Sequence, residues 1–232
     1  VDPFTGNVTL ETITAAVEAA SFKVRAIAVV HLGGRPCEMI AISAYAKSIG
    51  AYLVEDACHA PLAEYTDTAG ASFTVGSCAH SDAATLSFHA IKHITAGEGG
   101  VLLTNSDALA KQARLFRSHG MVRDPSELKN QENAGAPWYY EMHELGYNYR
   151  LSEVSCALAL NQVSRLAINN QRRQEIAALY HQHLGGMDFI KLPEIISPEN
   201  GSHAWHLFAP RFDFDAIGKS RKEIMLALAD QG

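Results

Sequence analysis

Val24-Arg25-Ala26-Ile27-Ala28-Val29-Val30-His31, followed by Leu32-Gly33-Gly34-Arg35-Pro36, the run Met39 to Ile49, Gly50, and Ala51-Tyr52-Leu53-Val54-Glu55-Asp56, is the part of the sequence that decides the fold. Its first segment is β-branched and almost uninterruptedly apolar, as expected of a strand buried on both faces. Gly33-Gly34 breaks that strand, and Pro36 stands where the first turn of a helix tolerates a missing N–H. Met39 to Ile49 reads as a helix closed by Gly50, and Ala51 to Asp56 as the next strand. The unit takes about 30 residues, the length of a right-handed crossover between parallel strands.

The pattern extends in both directions. Upstream, Leu10, Ile13, Ala16, Val17 and Ala20 recur at helical spacing between Thr9 and Ala20. Downstream, Ala83 to Phe88 and Gly100 to Thr104 are short apolar strands, and Asp107 to Arg117 is a helix. Pro125 to Trp138 is polar and reads as a long loop or lid. Leu151 to His183 is a helix long enough to span a domain; Trp205 to Phe212 reads as a strand and Ser220 to Ala229 as a helix. The expectation is an α/β chain, a three-layer αβα sandwich around a mainly parallel sheet. Residues 1–150 form its large domain, 151–190 a connecting helix, and 191–232 the beginning of a smaller α+β domain.

Composition narrows the function. The 232 residues are 47% hydrophobic and 19% charged, enough to bury a core. A net charge of -6 without a Lys/Arg-rich block sets nucleic-acid binding aside. No apolar run approaches the ~18 residues of a membrane helix. Cys37, Cys58, Cys78 and Cys156 include no C-x-x-C pair and read as small buried hydrophobes in a reducing cytoplasm. Asn7-Val8-Thr9 and Asn200-Gly201-Ser202 match the glycosylation sequon, but nothing points to secretion. The start at Val1 without a methionine, and the stop just as a helical pattern closes, read as a piece of a longer chain.

Two constellations carry chemistry. Glu55-Asp56 ends a strand, and ligands of open α/β sheets lie beyond the carboxyl ends of the strands. Such carboxylates can equally be structural, as a helix cap or a buried ion pair. His59 is three residues further on. The second constellation is Ser87-Phe88-His89-Ala90-Ile91-Lys92-His93-Ile94-Thr95-Ala96-Gly97-Glu98-Gly99-Gly100. Its single lysine, set among apolar neighbours at a strand end, has the surroundings a Schiff-base lysine requires. Its glycines allow close approach to a flat ligand. His89 and His93 are four apart, but a loop does not converge them on a metal and Ala90 stands where a zincin has glutamate. His181 and His183 read as solvated on a polar helix face, so no metal is expected. A carboxylate (Asp56), a lysine 36 residues later (Lys92) and a nearby serine (Ser87) together suggest a pyridoxal 5'-phosphate site.

Four ordered motifs carry a resemblance. They are Val30-His31-Leu32-Gly33-Gly34, Glu55-Asp56-Ala57-Cys58-His59-Ala60, Ser87 to Lys92 with Gly97-Glu98-Gly99-Gly100, and Leu145-Gly146-Tyr147-Asn148-Tyr149-Arg150-Leu151-Ser152-Glu153. Nearly the whole chain resembles the sugar aminotransferases of the DegT/DnrJ/StrS family, pyridoxal phosphate enzymes of fold type I that act on nucleotide-linked ketosugars. Arg117 to Met121, Trp138 to Gly146 and His203-Ala204-Trp205-His206-Leu207 resemble the branch of the pseudaminic acid pathway that makes UDP-4-amino-4,6-dideoxy-N-acetyl-β-L-altrosamine.

The resemblance implies roles. Lys92 would bond to the cofactor aldehyde and shuttle the proton. Asp56 would pair with the pyridinium nitrogen, His59 would sit beside the ring near its hydroxyl, and Ser87 would bind the phosphate. Asn148 would reach the phosphate of a neighbouring subunit in a homodimer, with Tyr147 and Tyr149 at the contact. Substrates would be a 4-keto-6-deoxy nucleotide sugar and an amino acid donor, glutamate by family, in the cytoplasm. Family members also carry, ahead of the point where Val1 begins, a phosphate-binding turn and an aromatic that stacks on the ring. Without them, exposed sheet edges, exposed apolar surface and weak cofactor binding are expected. Three other readings stand beside this one. The family's dehydratase variant has histidine at the Lys92 position. A catalytically silent remnant would fold or dimerise without turnover, and a plain sugar-nucleotide-binding module would not need the lysine.

Overall fold

The computed structural model describes residues 1–231. Helix α1 (Leu10–Glu18) begins where Thr9 and Thr12 cap one another, each side chain accepting the other's backbone N–H, and it buries Ile13. Strand β1 (Ala26–Val30), helix α2 (Met39–Ser48) and strand β2 (Tyr52–Asp56) form the expected parallel crossover, in register from Ala26 opposite Tyr52 to Val30 opposite Asp56. Gly50 closes α2 at φ +68°, a conformation that costs a glycine nothing. Pro36 lies ahead of the helix rather than in its first turn, which starts at Met39.

The rest of the sheet follows at β5 (Ala83–Ser87) and β6 (Gly100–Leu103), after a hairpin of β3 (Glu64–Thr66) and β4 (Ser72–Thr74) that the sequence pattern did not reveal. Its order is β1-β2-β5-β6, with β1, β2 and β5 parallel and β6 antiparallel. The reversal has a simple cause. Residues 88–99 are spent on the glycine-rich loop, no helix crosses the sheet, and the chain can only turn back beside β5. Helix α3 (Asp107–Arg117) follows, then a small pair, β7 (Met121–Val122) with β8 (Glu141–Met142), around a loop that contains only two short 3₁₀ turns.

Helix α4 (Glu153–Leu184) buries one narrow stripe, Ala159, Leu166, Asn170 and Ala177. In its middle the Asn170 amide donates to the Pro61 carbonyl at 2.8 Å. Beyond it come β9 (Ile190–Lys191), β10 (Gly201–Ser202), β11 (Arg211–Phe212), α5 (Phe214–Ile217) and α6 (Arg221–Ala229). Strand β10 returns to pair antiparallel with β3. The strand expected over Trp205–Phe212 is reduced to Arg211–Phe212; the preceding residues leave extended geometry at Trp205, whose φ is +49°. No helix among the described residues is long and apolar enough to cross a membrane.

The core joins Ile13, Ile27, Val29, Met39, Ile42, Ala46 and Leu53 in one cluster. Strand β1 departs from the expectation of burial on both faces. Val29 is 0% exposed, yet Val30 is 41% exposed. Only the face carrying Ile27 and Val29 is packed into that cluster, so the alternation of the pleat leaves its neighbours uncovered. Apolar side chains also stand exposed on β6 (Val101, Leu102), α3 (Phe116) and α4 (Val154, Leu160, Ile168). Cys37 and Cys78 are buried as expected; Cys156, on the open side of α4, is exposed. Asn7 of the first sequon is buried, its side chain donating to the Arg35 carbonyl and accepting from the Leu32 amide.

Neighbouring positions on β2 send Glu55 and Asp56 to opposite faces. Glu55 is sealed from water and accepts hydrogen bonds from His31 Nε2 at 3.1 Å, the Gly76 amide at 3.1 Å and the Ser81 hydroxyl. His31 Nδ1 accepts the Cys37 amide at 3.0 Å, so the ring proton sits on Nε2 and the imidazole is neutral. Burial pushes the Glu55 carboxyl up, but the donors from His31, Ser81 and Gly76 outweigh it and hold the group below the usual glutamate range. Glu55→Ala should therefore cost about 3–5 kcal/mol of stability, since it strands three buried donors, read as a fall in the urea midpoint. The lowered native value means this carboxylate stabilises the fold above pH 4.5, and that its contribution is lost as pH falls through the native value. Glu55→Gln should flatten that acid limb; an unchanged limb would assign acid sensitivity elsewhere.

Candidate active site

The carboxyl end of β2 opens the site. Asp56 points away from the core, and its Oδ1 accepts the Cys58 amide at 3.1 Å. The chain then turns, with the Ala57 amide held by the Thr85 carbonyl of β5 at 3.0 Å, which brings His59 over the end of β1. His59 Nδ1 accepts the Gly33 amide at 3.3 Å. At the end of β5, Ser87 Oγ accepts the His89 amide at 3.3 Å. The lysine loop begins there and is closed by its own backbone: Phe88 N–H to Gly99 O at 2.8 Å, Lys92 N–H to His89 O at 2.9 Å, and Ala96 N–H to Phe88 O at 2.9 Å. Ile94 and Ala96 anchor it on Ala159 and Leu166 of α4.

Lys92 and Asp56 face the same space. Burial, then the nearby Lys92 ammonium, lower the affinity of His59 for a proton, while the Asp56 carboxylate opposes them. Cys58 stands between the same two charges. Burial and Asp56 push its thiol up to about 11, so it stays protonated at neutral pH. Asp56 and His59 at the end of β2 and Lys92 in the loop after the neighbouring strand β5 are thus near enough for both charges to act on the His59 ring, with no thiolate at Cys58.

A further wall comes from far along the chain. The Ala204 amide donates to Gly34 O at 3.0 Å and the Leu207 amide to Gly33 O at 3.1 Å, which lays residues 203–207 against the β1 turn. Gly34 is required there: a Cβ would stand 2.9 Å from the Trp205 nitrogen and 2.9 Å from the His59 carbonyl oxygen, at φ +104°. Trp205 takes a left-handed conformation that a bulky side chain seldom adopts. Its carbonyl is held by Arg173 Nη1 of α4 at 3.0 Å, and its ring lies 3.8 Å from His203 at an interplanar angle of 6°. The turn delivers His206 to within 4.3 Å of His59 and 5.2 Å of His93, centroid to centroid. Burial is the leading cause that lowers His93 to about 4 and His203 and His206 to about 3.

Several expectations change here. Gly99 and Gly100 make their close approaches to the protein itself, Leu151 and the Leu86 carbonyl, not to open ligand space; around Gly97 the space is free. His93 is buried and His89 lies 3.8 Å from Glu98, so the two histidines diverge. Among the described residues no group of three His, Cys, Asp or Glu could hold a metal. His181, expected in solvent, has Nε2 buried without a partner and stands edge-on to Phe208 at 5.6 Å. The returning Trp205 and Phe208 half-cover His181, which sequence spacing does not reveal, while His183 stays exposed as expected. Asn148, whose expected place is at the site of a second copy, lies away from these residues. It is exposed, bridged through backbone to Ser118, between Tyr147 and Tyr149, whose rings stack 4.8 Å apart. His206 entered the sequence reading only as part of a motif; the density of histidine and tryptophan over 203–206 is the signal that marks it. Beside the crevice, a cavity of about 650 Å³ is lined by Phe4, Leu32, Arg35, Leu207 and Arg211.

The chain has relatives of known sequence and structure. The family model described as the DegT/DnrJ/EryC1/StrS aminotransferase family matches residues 1–232. The spore coat polysaccharide biosynthesis protein SpsC of Bacillus subtilis is 35% identical over 216 residues, 92% of this chain and 52% of that protein. An aminotransferase from Psychrobacter cryohalolentis superposes with a TM-score of 0.84 at 27% identity, over 99% of this chain and 57% of that one. Helicobacter pylori PseC, an aminotransferase involved in pseudaminic acid biosynthesis, superposes with a TM-score of 0.81 at 26% identity, over 98% and 55%. The chain spans about half the length of the curated relatives it matches.

The crevice histidines make a testable statement. Proton NMR titration should find His93, His203 and His206 still neutral at pH 5, where a free imidazole is mostly charged. Their native values lie below the ordinary 6.5, so the unfolded chain binds protons first as pH drops. Stability should be intact above pH 6.5 and decline below it. Three ordinary imidazole titrations near 6.5 would contradict this burial.

Proposed function

Because the chain belongs to the DegT/DnrJ/EryC1/StrS aminotransferase family, we propose that its crevice holds pyridoxal 5'-phosphate and moves an amino group from an amino acid, glutamate, to the 4-ketone of a 6-deoxy nucleotide sugar. The observation that supports this reading is the placement of Asp56 and His59 at the end of β2 beside the loop after β5 that carries Ser87 and Lys92, with both charges acting on His59. The donor set suits the group: a primary amine for the aldehyde, a carboxylate for the ring nitrogen, an imidazole for the ring edge and a serine hydroxyl for the phosphate. Cys58, protonated, does not compete for the aldehyde.

When bound, pyridoxal phosphate supplies an electron sink that makes the carbon bearing the amino group acidic. The chain's own residues do the rest. Lys92 Nζ would hold the group through its aldehyde carbon and would carry a proton to and from the substrate carbon. Asp56 holds a proton on the ring nitrogen by its charge, as an opposite charge within a few ångströms favours the ionised form. His59, kept neutral, orients the ring edge without adding charge. Ser87 binds phosphate oxygens. Asn148, exposed between two stacked tyrosines, serves the site of a second copy, and the assembly is a homodimer in the cytoplasm. Surface amino-sugar synthesis, along the pseudaminic acid branch, is the role that the relatives' names favour.

Incubation with pyridoxal phosphate, borohydride reduction and peptide mass spectrometry should place the adduct on Lys92, and Lys92→Ala should abolish it. Asp56→Ala, made in a full-length relative where this chain shows no turnover of its own, should keep the adduct but slow proton removal from the amino donor at least about a hundredfold, two pKa units of lost support. Reduction spread evenly over surface lysines, or unchanged donor turnover in Asp56→Ala, would overturn the assignment.

A further inference from the structure

The residue after the lysine is not accounted for by the roles above. His93 is 4% exposed, and its Nε2 lies 3.0 Å from the Ala204 carbonyl oxygen. A carbonyl only accepts, so Nε2 carries the proton and donates. Nδ1 is buried with no partner. The ring therefore has one polar contact, and that contact crosses 111 positions of sequence, from the lysine loop to the returning segment. Ala204 is itself pinned by its amide to Gly34 O, and its neighbour Trp205 by Arg173. A flipped ring would turn its Cε1–H edge to the carbonyl and leave the Nε2 N–H buried without an acceptor, so the bond also fixes the ring's orientation.

We propose that His93 is a positioning residue: its Nε2–H···O=C bond to Ala204 sets where the adjacent Lys92 amine stands relative to Asp56, His59 and His206. The alternatives within the loop are weaker. Ile94 and Ala96 hold its far side by apolar contact alone, which resists separation but not sliding. The loop's own backbone bonds fix its shape but attach it to no other part of the crevice. The bond from His93 ties it to the returning segment and so gives Lys92 a defined partner geometry there. Burial keeps this imidazole neutral at physiological pH, so the donor stays in place.

The part of this inference that concerns catalysis rests on the aminotransferase reading, and the test separates the two. Three variants are compared with the wild-type chain: His93→Phe removes the donor, His93→Asn reaches only as far as Nδ1, and His93→Gln restores an N–H at the reach of Nε2. The first readout needs no cofactor. Reductive methylation of Lys92 is measured against exposed Lys47 in the same molecule, so that general loosening is cancelled. In the Phe and Asn variants the Lys92-to-Lys47 ratio should rise about fivefold to tenfold, equivalent to ~1–1.4 kcal/mol, and in Gln it should match wild type. The second readout is the borohydride-trapped adduct at Lys92, which should fall in Phe and Asn and recover in Gln. Equal ratios in all four chains, or a Gln variant no better than Phe, would overturn the positioning role. If wild type forms no adduct while the methylation pattern holds, the cofactor reading fails and the positioning role stands.

Discussion

A carboxylate sealed from water is the constraint around which this structure is arranged. Glu55 cannot be buried at tolerable cost unless donors surround it, and the donors come from three separate pieces of chain: His31 beyond β1, Gly76 after the hairpin, and Ser81 before β5. Satisfying one group thus fixes the ends of β1 and β2 and the entry to β5. The next residue, Asp56, is then held on the opposite face with no freedom to turn inward. A crevice carboxylate is placed by the hydrogen-bond demand of its neighbour.

The second organising feature is a long-range return. Residues 203–207 come back from beyond α4 to line the crevice that the strand ends open. They are fixed by backbone bonds to Gly33 and Gly34 and by the Arg173 side chain. The positive φ of Trp205 is sustained because the surroundings determine it from several sides: the stack on His203, the grip on its carbonyl, and a glycine opposite where no Cβ would fit. The result is a wall of imidazoles that burial keeps neutral. They add polar edges to the lysine crevice without adding positive charge that would compete with the lysine.

The apolar surfaces on the other faces have a different character. The stacked Tyr147 and Tyr149 and the exposed Leu102, Phe116 and Leu145 are gathered around one groove on the β6 and α3 side. Exposed aromatic and aliphatic groups of this size, gathered in one place, are the kind of surface that partners cover. The same face carries Asn148, away from the crevice of its own chain.

Much of this was legible in residue order. The β1–α2–β2 crossover, α3 to the residue, the helix after Ser220 and the long helix all follow from apolar periodicity and helix-end signals, which act between residues a few positions apart. Lys92 and Asp56 stood out because strand ends and glycine breaks are local signals too. What needed the tertiary structure is whatever depends on contacts between distant segments. Which face of β1 is covered, the reversal of β6, the short hairpin that pairs with Gly201 and Ser202, and the packing of His181 against Phe208 are decided by what packs across, and no spacing encodes it. The same holds for the histidines. Sequence marks His59 by its nearness to Asp56, but His93 and His206 enter the crevice only because the chain returns over more than a hundred residues to place a carbonyl against one and a ring beside the other.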